Sequence, residues 1–199
     1  SGMAQIINVA KENQYLLKAF YLPDGTSDAL FSLGGYADLM VLDQNGLSHD
    51  VCNATYLPGS NSSCMVHFSD SSAGVHYLQI RMHQDQNSMS LAAAWGGPGY
   101  ADLQNGITSP AFDVAPNLPA VRSIYVPANS SQLEILTSPW SWDMNGVVIS
   151  SANPLSLDFC SDHYELASPA AGVYFLGIKA YSNYASGISL KASYWNKAV

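Results

Sequence analysis

The chain states one motif twice. Residues 73–83 read AGVHYLQIRMH, and 98 positions later residues 171–181 read AGVYFLGIKAY. Repetition limits the fold before any other feature, because each copy has to be a unit that folds by the same rules. Setting residue n against n+108 aligns residues 39–56 with 147–164. Leu47, Ser48, Asp50, Cys52 and Tyr56 recur as Leu155, Ser156, Asp158, Cys160 and Tyr164. After Tyr56 the offset falls to 98, so the first copy carries ten extra residues around LPGSNSSC. Further on, SMSLAAAW (88–95) meets GISLKASY (187–194); upstream, FYLP (20–23) meets IYVP (124–127). Matches in one order, with length changes only at turn-forming residues, are the signature of a tandem duplication. The two units span residues 1–99 and 108–199. Between them lies a Gly-, Pro- and Asn-rich connection, in which GYADL at 99–103 echoes GYADL at 35–39.

Each unit reads as β. Tyr174, Leu176, Ile178 and Ala180 share one face of an extended strand, as do His76, Leu78, Ile80 and Met82. The opposite faces, Val173 to Lys179 and Val75 to Arg81, end in a cation in both copies, so the even-numbered set is the expected core face. In the closing strand, Leu190, Ala192 and Tyr194 alternate in the same way. Turn residues such as DQNG (43–46), PDGTS (23–27) and SSAG (71–74) separate the segments. No segment carries a convincing helical stripe. Residues 4–20 come closest, but their counterpart VAPNLPAVRS contains two prolines. The expected fold class is all-β: two tandem antiparallel β-sandwiches of jelly-roll or immunoglobulin-like form.

Charge excludes some partners. The formal net charge is −8 with seven Lys and Arg, so no cationic cluster is available for a phosphate backbone. Nucleic acid and anionic membrane surfaces are poor partners. No apolar run approaches the roughly 18 residues that span a bilayer, so no membrane insertion is expected.

YADLMVLDQNG, a Cys pair bracketing a loop, SAGVHYLQIRM and the short closing strand SLAAAW together resemble the bacterial pre-peptidase C-terminal (PPC) domain. Gly35 to Val41 stand where that family has its G-D-A-D-L-Y-V segment, and Ala73-Gly74 begin its A-G-x-Y-x-V-x-V strand. The second unit is the more divergent, with SPWSWDMN (138–145) ahead of that segment. The resemblance implies non-catalytic β-sandwich modules of secreted enzymes, implicated in secretion, in quieting a zymogen or in holding insoluble substrate. Some related collagen-binding modules use calcium. Cys52 and Cys64 match the family's pair, which implies a disulfide. Closing that eleven-residue loop would stabilise by roughly 2–3 kcal/mol, against the alternative of three free thiols. A disulfide favours a secreted, extracellular or periplasmic location. Cys160 is then expected to be free and buried, the alternative being an intermolecular bond.

The candidate sites follow. Five histidines occur, but no HxxxH or HExxH pair. There is no G-x-S-x-G elbow and no Cys–His signature, so no catalytic residue is named and an enzyme is not expected. His76 is expected at a hydrogen-bonded core edge. Asp38, Asp43 and Asn45 offer oxygen ligands that suit calcium; DQNG is equally a self-bonded turn. No cofactor is required. Trp140 and Trp142, two apart, would point the same way if extended, and Tyr181 and Tyr184 are loop aromatics able to join them. Such a patch suits a protein or polysaccharide surface. The expected function is therefore a secreted, non-catalytic binding protein. The alternative is a structural or regulatory interaction module, such as a protease restraint or cell-surface spacer.

Overall fold

The computed structural model describes residues 5–34, 37–42, 48–52, 63–69, 73–83, 85–115, 120–150, 156–159, 161–180 and 182–196. They form strands and no helix. The first half supplies β1 (Gln5–Ala10), β2 (Tyr15–Leu22), β3 (Asp28–Gly34), β4 (Ala37–Leu42), β5 (Ser48–Cys52), β6 (Ser63–Ser69), β7 (Gly74–Met82) and β8 (Gln86–Gly96). The second supplies β9 (Phe112–Val114), β10 (Ala120–Val126), β11 (Ser130–Ser138), β12 (Met144–Ser150), β13 (Ser156–Phe159), β14 (His163–Ala167), β15 (Gly172–Ala180) and β16 (Ala185–Asn196).

Pairing is antiparallel throughout, in four sheets of four strands. The first half has the orders β2-β7-β4-β5 and β1-β8-β3-β6; the second has β10-β15-β12-β13 and β9-β16-β11-β14. The lists are the same once β9 stands for β1, β10 for β2, and so on. Duplication is therefore written in the hydrogen-bond topology as well as in the sequence.

Three apolar clusters lie between the sheets. One joins β2, β7 and β4 to β3 and β8 through Leu22, Phe31, Leu39, Val41, Leu78, Ile80 and Leu91. A second joins the two sheets of the other half through Ile124, Leu133, Ile135, Val148, Tyr174, Leu176 and Leu190. The even-numbered face of β15 is buried, as the alternation predicts. The third cluster was not foreseen. Leu30, Ala92 and Ala94 of the first half meet Val121, Ile149, Val173 and Phe175 of the second. The odd-numbered face of β15, expected to face outward, is thus a seam, and Val173 and Phe175 are as buried as the core face. The seam is asymmetric. The first half presents its β1-β8-β3-β6 sheet, and the second presents the sheet that corresponds to β2-β7-β4-β5.

The connection is fastened to this seam. Ser123 is fully buried. Its hydroxyl donates to the Trp95 carbonyl (2.7 Å), and its N–H donates to Asp102 Oδ2 (3.1 Å). Asp102 belongs to the second GYADL, and Leu103 beside it enters the second-half core. That echo now has a local role, though its two copies serve different surroundings.

Register corrects one step of the alignment. Leu39 pairs with Ile80, and Gly146 pairs with Ile178. Since Ile80 corresponds to Ile178, β4 and β12 are offset by 107 (146 − 39), not 108. A one-residue slip exchanges the two faces of a strand. Val147 and Ile149, which the offset of 108 would set at core positions, accordingly belong to the seam. By the same register Asp38 corresponds to Asn145, and Cys52 to Phe159 rather than Cys160.

Candidate ligand-binding loops

The segment 139–143 between β11 and β12 is a turn rather than an extended run. It begins at a cis Ser138–Pro139 bond. The two indoles consequently part company. Trp140 is half-buried and packs against the second-half core, whereas Trp142 is 86% exposed. The condition under which the two side chains would point the same way, an extended segment, is not met here.

Beneath Trp142, Asp143 is buried and ties this loop to the β15–β16 loop. Its carboxylate accepts the Ser182 hydroxyl (2.7 Å), the Ser182 N–H (3.1 Å) and the Asn183 N–H (2.6 Å). These donors, the Ser182 hydroxyl foremost, hold the Asp143 carboxyl below the usual carboxylate range. Next along the chain, Tyr184 is well exposed and its hydroxyl donates to Asp113 of β9. Gly187 N–H donates to the other Asp113 oxygen (3.0 Å). The Tyr184–Asp113 bond raises the Tyr184 phenol and, with the Gly187 N–H second, lowers the Asp113 carboxyl, the pattern of an O–H donating to an anion. Trp142 and Tyr184 therefore sit on two loops tied together by Asp143, the second of them also held to β9 by Asp113. Tyr181 lies outside the described residues.

The anchors set a pH dependence. Both carboxyls are depressed in the folded chain, so the tie is intact above the ordinary carboxylate range near pH 4. It is lost as pH falls through the lower folded values. Acid titration followed by tryptophan fluorescence is expected to show the loops releasing below about pH 4. Asp143→Asn, which loses one acceptor oxygen and the charge, is expected to show the released signal already at pH 7. An unchanged fluorescence profile in that variant would contradict the anchor.

Of the calcium candidates, Asp38 alone falls within the described residues. Asp38 stands opposite Arg81 and contacts His83 Nε2 at 2.8 Å; Asp43 and Asn45 lie outside the described residues. Cys52 pairs in register with Leu39, and Cys64 with Leu33, both first-half core positions on the two different sheets. The side chains of the two cysteines, and Cys160 altogether, lie outside the described residues. His76 is buried and stacks on Phe20 at 5.6 Å between centroids.

Sequence spacing missed one cluster, Glu134, His163 and Glu165 on the paired strands β11 and β14. Their ligand-capable atoms lie within 4.8 Å of one another. Glu134 and Glu165 stand directly opposite, an unfavourable like-charge pair. His163 Nε2 lies between them, 3.1 Å from one and 3.2 Å from the other. Only the strand register joins residues 29 positions apart.

No family model matches the chain, and no curated protein matches it. Among solved structures, the chain is similar to the PBSX exported protein XepA at 10% identity (TM-score 0.37, 95% of this chain and 85% of that one). It is also similar to a protein from Eubacterium rectale described as secreted, at 8% identity (TM-score 0.28, 92% and 69%). The third is the STIV MCP at 7% identity (TM-score 0.29, 98% and 97%). At these TM-scores the likenesses assign neither fold family nor function.

Proposed function

We propose that this chain is a secreted, non-catalytic binding protein of two stacked jelly-roll β-sandwiches related to PPC modules. Its loop aromatics engage a protein or polysaccharide surface. Two observations support the architecture. The strand order 1-8-3-6 over 2-7-4-5 occurs in both halves, and each half has its own apolar cluster between its sheets. The units are residues 1–99 and 108–199, and the function needs no cofactor.

The binding reading rests on one observation: Trp142 is 86% exposed on a loop braced from below by buried Asp143. An indole held in water forgoes a burial worth roughly 2–3 kcal/mol. Bracing it keeps the ordering cost of binding low. A flat amphipathic ring, on a loop tied through Asp143 to the one that carries Tyr184, suits stacking on sugar rings or apolar peptide.

The test is an array of polysaccharides and secreted proteins probed with wild type and the double variant Trp142→Ala, Tyr184→Ala. Retention is expected to drop at least tenfold, with the double variant still folded because neither side chain is in a core. Equal retention of both proteins on every surface would reject the site.

A further inference from the structure

Among the described residues, the asymmetric seam leaves two sheet faces without a neighbour, and they differ in chemistry. The outer face of β11-β14-β16 carries Glu134, His163, Glu165 and Lys191, with Trp195, 46% exposed, near the end of β16. The positions that correspond to the seam residues Ala92 and Ala94 are Lys191 and Ser193 there. A polar outer face of this kind closes a stack of repeats.

The outer face of β2-β7-β4 is the reverse. Tyr15, Leu17, Tyr21 and Val75 are 60%, 61%, 59% and 44% exposed. Register identifies what these residues are. Leu17 pairs with Gln79 as Val121 pairs with Gly177; Tyr21 pairs with Val75 as Tyr125 pairs with Val173. The counterparts of Leu17, Tyr21 and Val75 lie in the seam itself, where Val121 and Val173 are buried and Tyr125 packs against them. The fold therefore already uses this surface to pack sheet on sheet.

We propose that the chain self-associates as a two-fold dimer through the outer face of β2-β7-β4. Head-to-tail growth would set this face on the β11-β14-β16 face of the next copy, burying Glu134, Glu165 and Lys191 against Tyr and Leu. The same face of a second copy avoids that cost and closes at two. Tyr and Arg are the types enriched at interface centres, and here Arg81 lies over the Tyr15 ring at 5.9 Å. The face is nearly neutral, with Arg81 opposite Asp38, so close approach meets little local repulsion despite the overall −8. Three strands about 4.8 Å apart and some eight residues long give a footprint of roughly 400 Å² per copy. That is the low end for specific contacts, and the dimer is weak, with a dissociation constant on the order of 10 µM. Added salt strengthens it by screening the net charge.

Sedimentation velocity from about 1 to 300 µM is expected to show a monomer–dimer equilibrium that tightens with salt. Leu17→Glu is expected to hold the chain monomeric throughout that range, with melting at low concentration unchanged; Val75→Lys provides a second, independent disruption. Trp142→Ala, on the loops, is expected to dimerise like wild type. A wild type monomeric at every concentration overturns the proposal. So does a dimer indifferent to both substitutions, or growth beyond two copies.

Discussion

Ala92→Lys is expected to part the two halves while leaving each folded. Ala92 is fully buried in the seam among Leu30, Ala94, Val173 and Phe175. Its counterpart on β16 is Lys191, so the strand position itself accepts a lysine where water is available. In the seam the ammonium would be enclosed by apolar side chains. An unpaired buried charge costs several kcal/mol. The cheaper outcome is an open seam, with loss of about 3–5 kcal/mol of coupling between halves. Met89, Leu91 and the neighbouring β3 residues Phe31 and Leu33 face the other side of the sheet and keep the first-half core. Calorimetry is expected to turn from one cooperative melt into two transitions, and limited proteolysis to cut within the connection after Gly96. Lys191→Ala, on the open face, is expected to change neither. A single unaltered melt in Ala92→Lys would mean that the seam does not couple the halves.

The duplication and the β class were legible because alternation and turn chemistry are local signals. The face of β7 and β15 that forms each core was legible for the same reason. The seam was not, since the same strand position faces water in one copy and a neighbour in the other. A trace of it existed. β15 reads GVYFLGI with both faces apolar, where β7 has Tyr77 and Gln79, and β8 runs Ala92-Ala93-Ala94. Such runs mark a strand buried on both sides. The offset of 108 across β4 and β12 matched identities in the β5 and β13 region and overlooked parity, which the pleat enforces. At the candidate site, Trp142 and Tyr184 were found by composition. Asp143 and Asp113 were not, because an anchor is defined by the loop it holds across 39 or 71 positions. Nothing in the spacing of SPWSWD announces its turn, so whether the segment is extended was not legible.

Gly97→Ala is expected to be among the most damaging single-methyl changes in the chain. A Cβ at Gly97 would lie 2.2 Å from the Gly25 carbonyl oxygen and 2.6 Å from the Ser27 nitrogen, both backbone atoms of the β2–β3 turn. That turn cannot easily give way. Thr26 N–H and its hydroxyl donate to the Pro23 carbonyl, and Ser27 N–H donates to the Gly96 carbonyl (2.9 Å). Gly99 N–H donates to the Gly25 carbonyl (3.3 Å), and Gly97 N–H to the Tyr100 carbonyl (2.6 Å). Gly25 itself has φ of +82°, a left-handed conformation that restricts how the turn can move. Relief of the clash has to break two or three of these bonds, at about 1 kcal/mol each. Residual backbone strain brings the loss to roughly 3 kcal/mol or more. With a urea slope near 2 kcal/mol/M, the midpoint is expected to fall by about 1.5 M. Gly106→Ala is the control: its φ is +72°, but no atom lies within 4 Å of the added methyl. Only the conformational penalty of about 1 kcal/mol applies there. The contrast matters because this clamp begins the path from β8 to Asp102 and the seam. If the two variants unfold at the same urea concentration, backbone contact between turn and connection does not set how the second half is carried on the first.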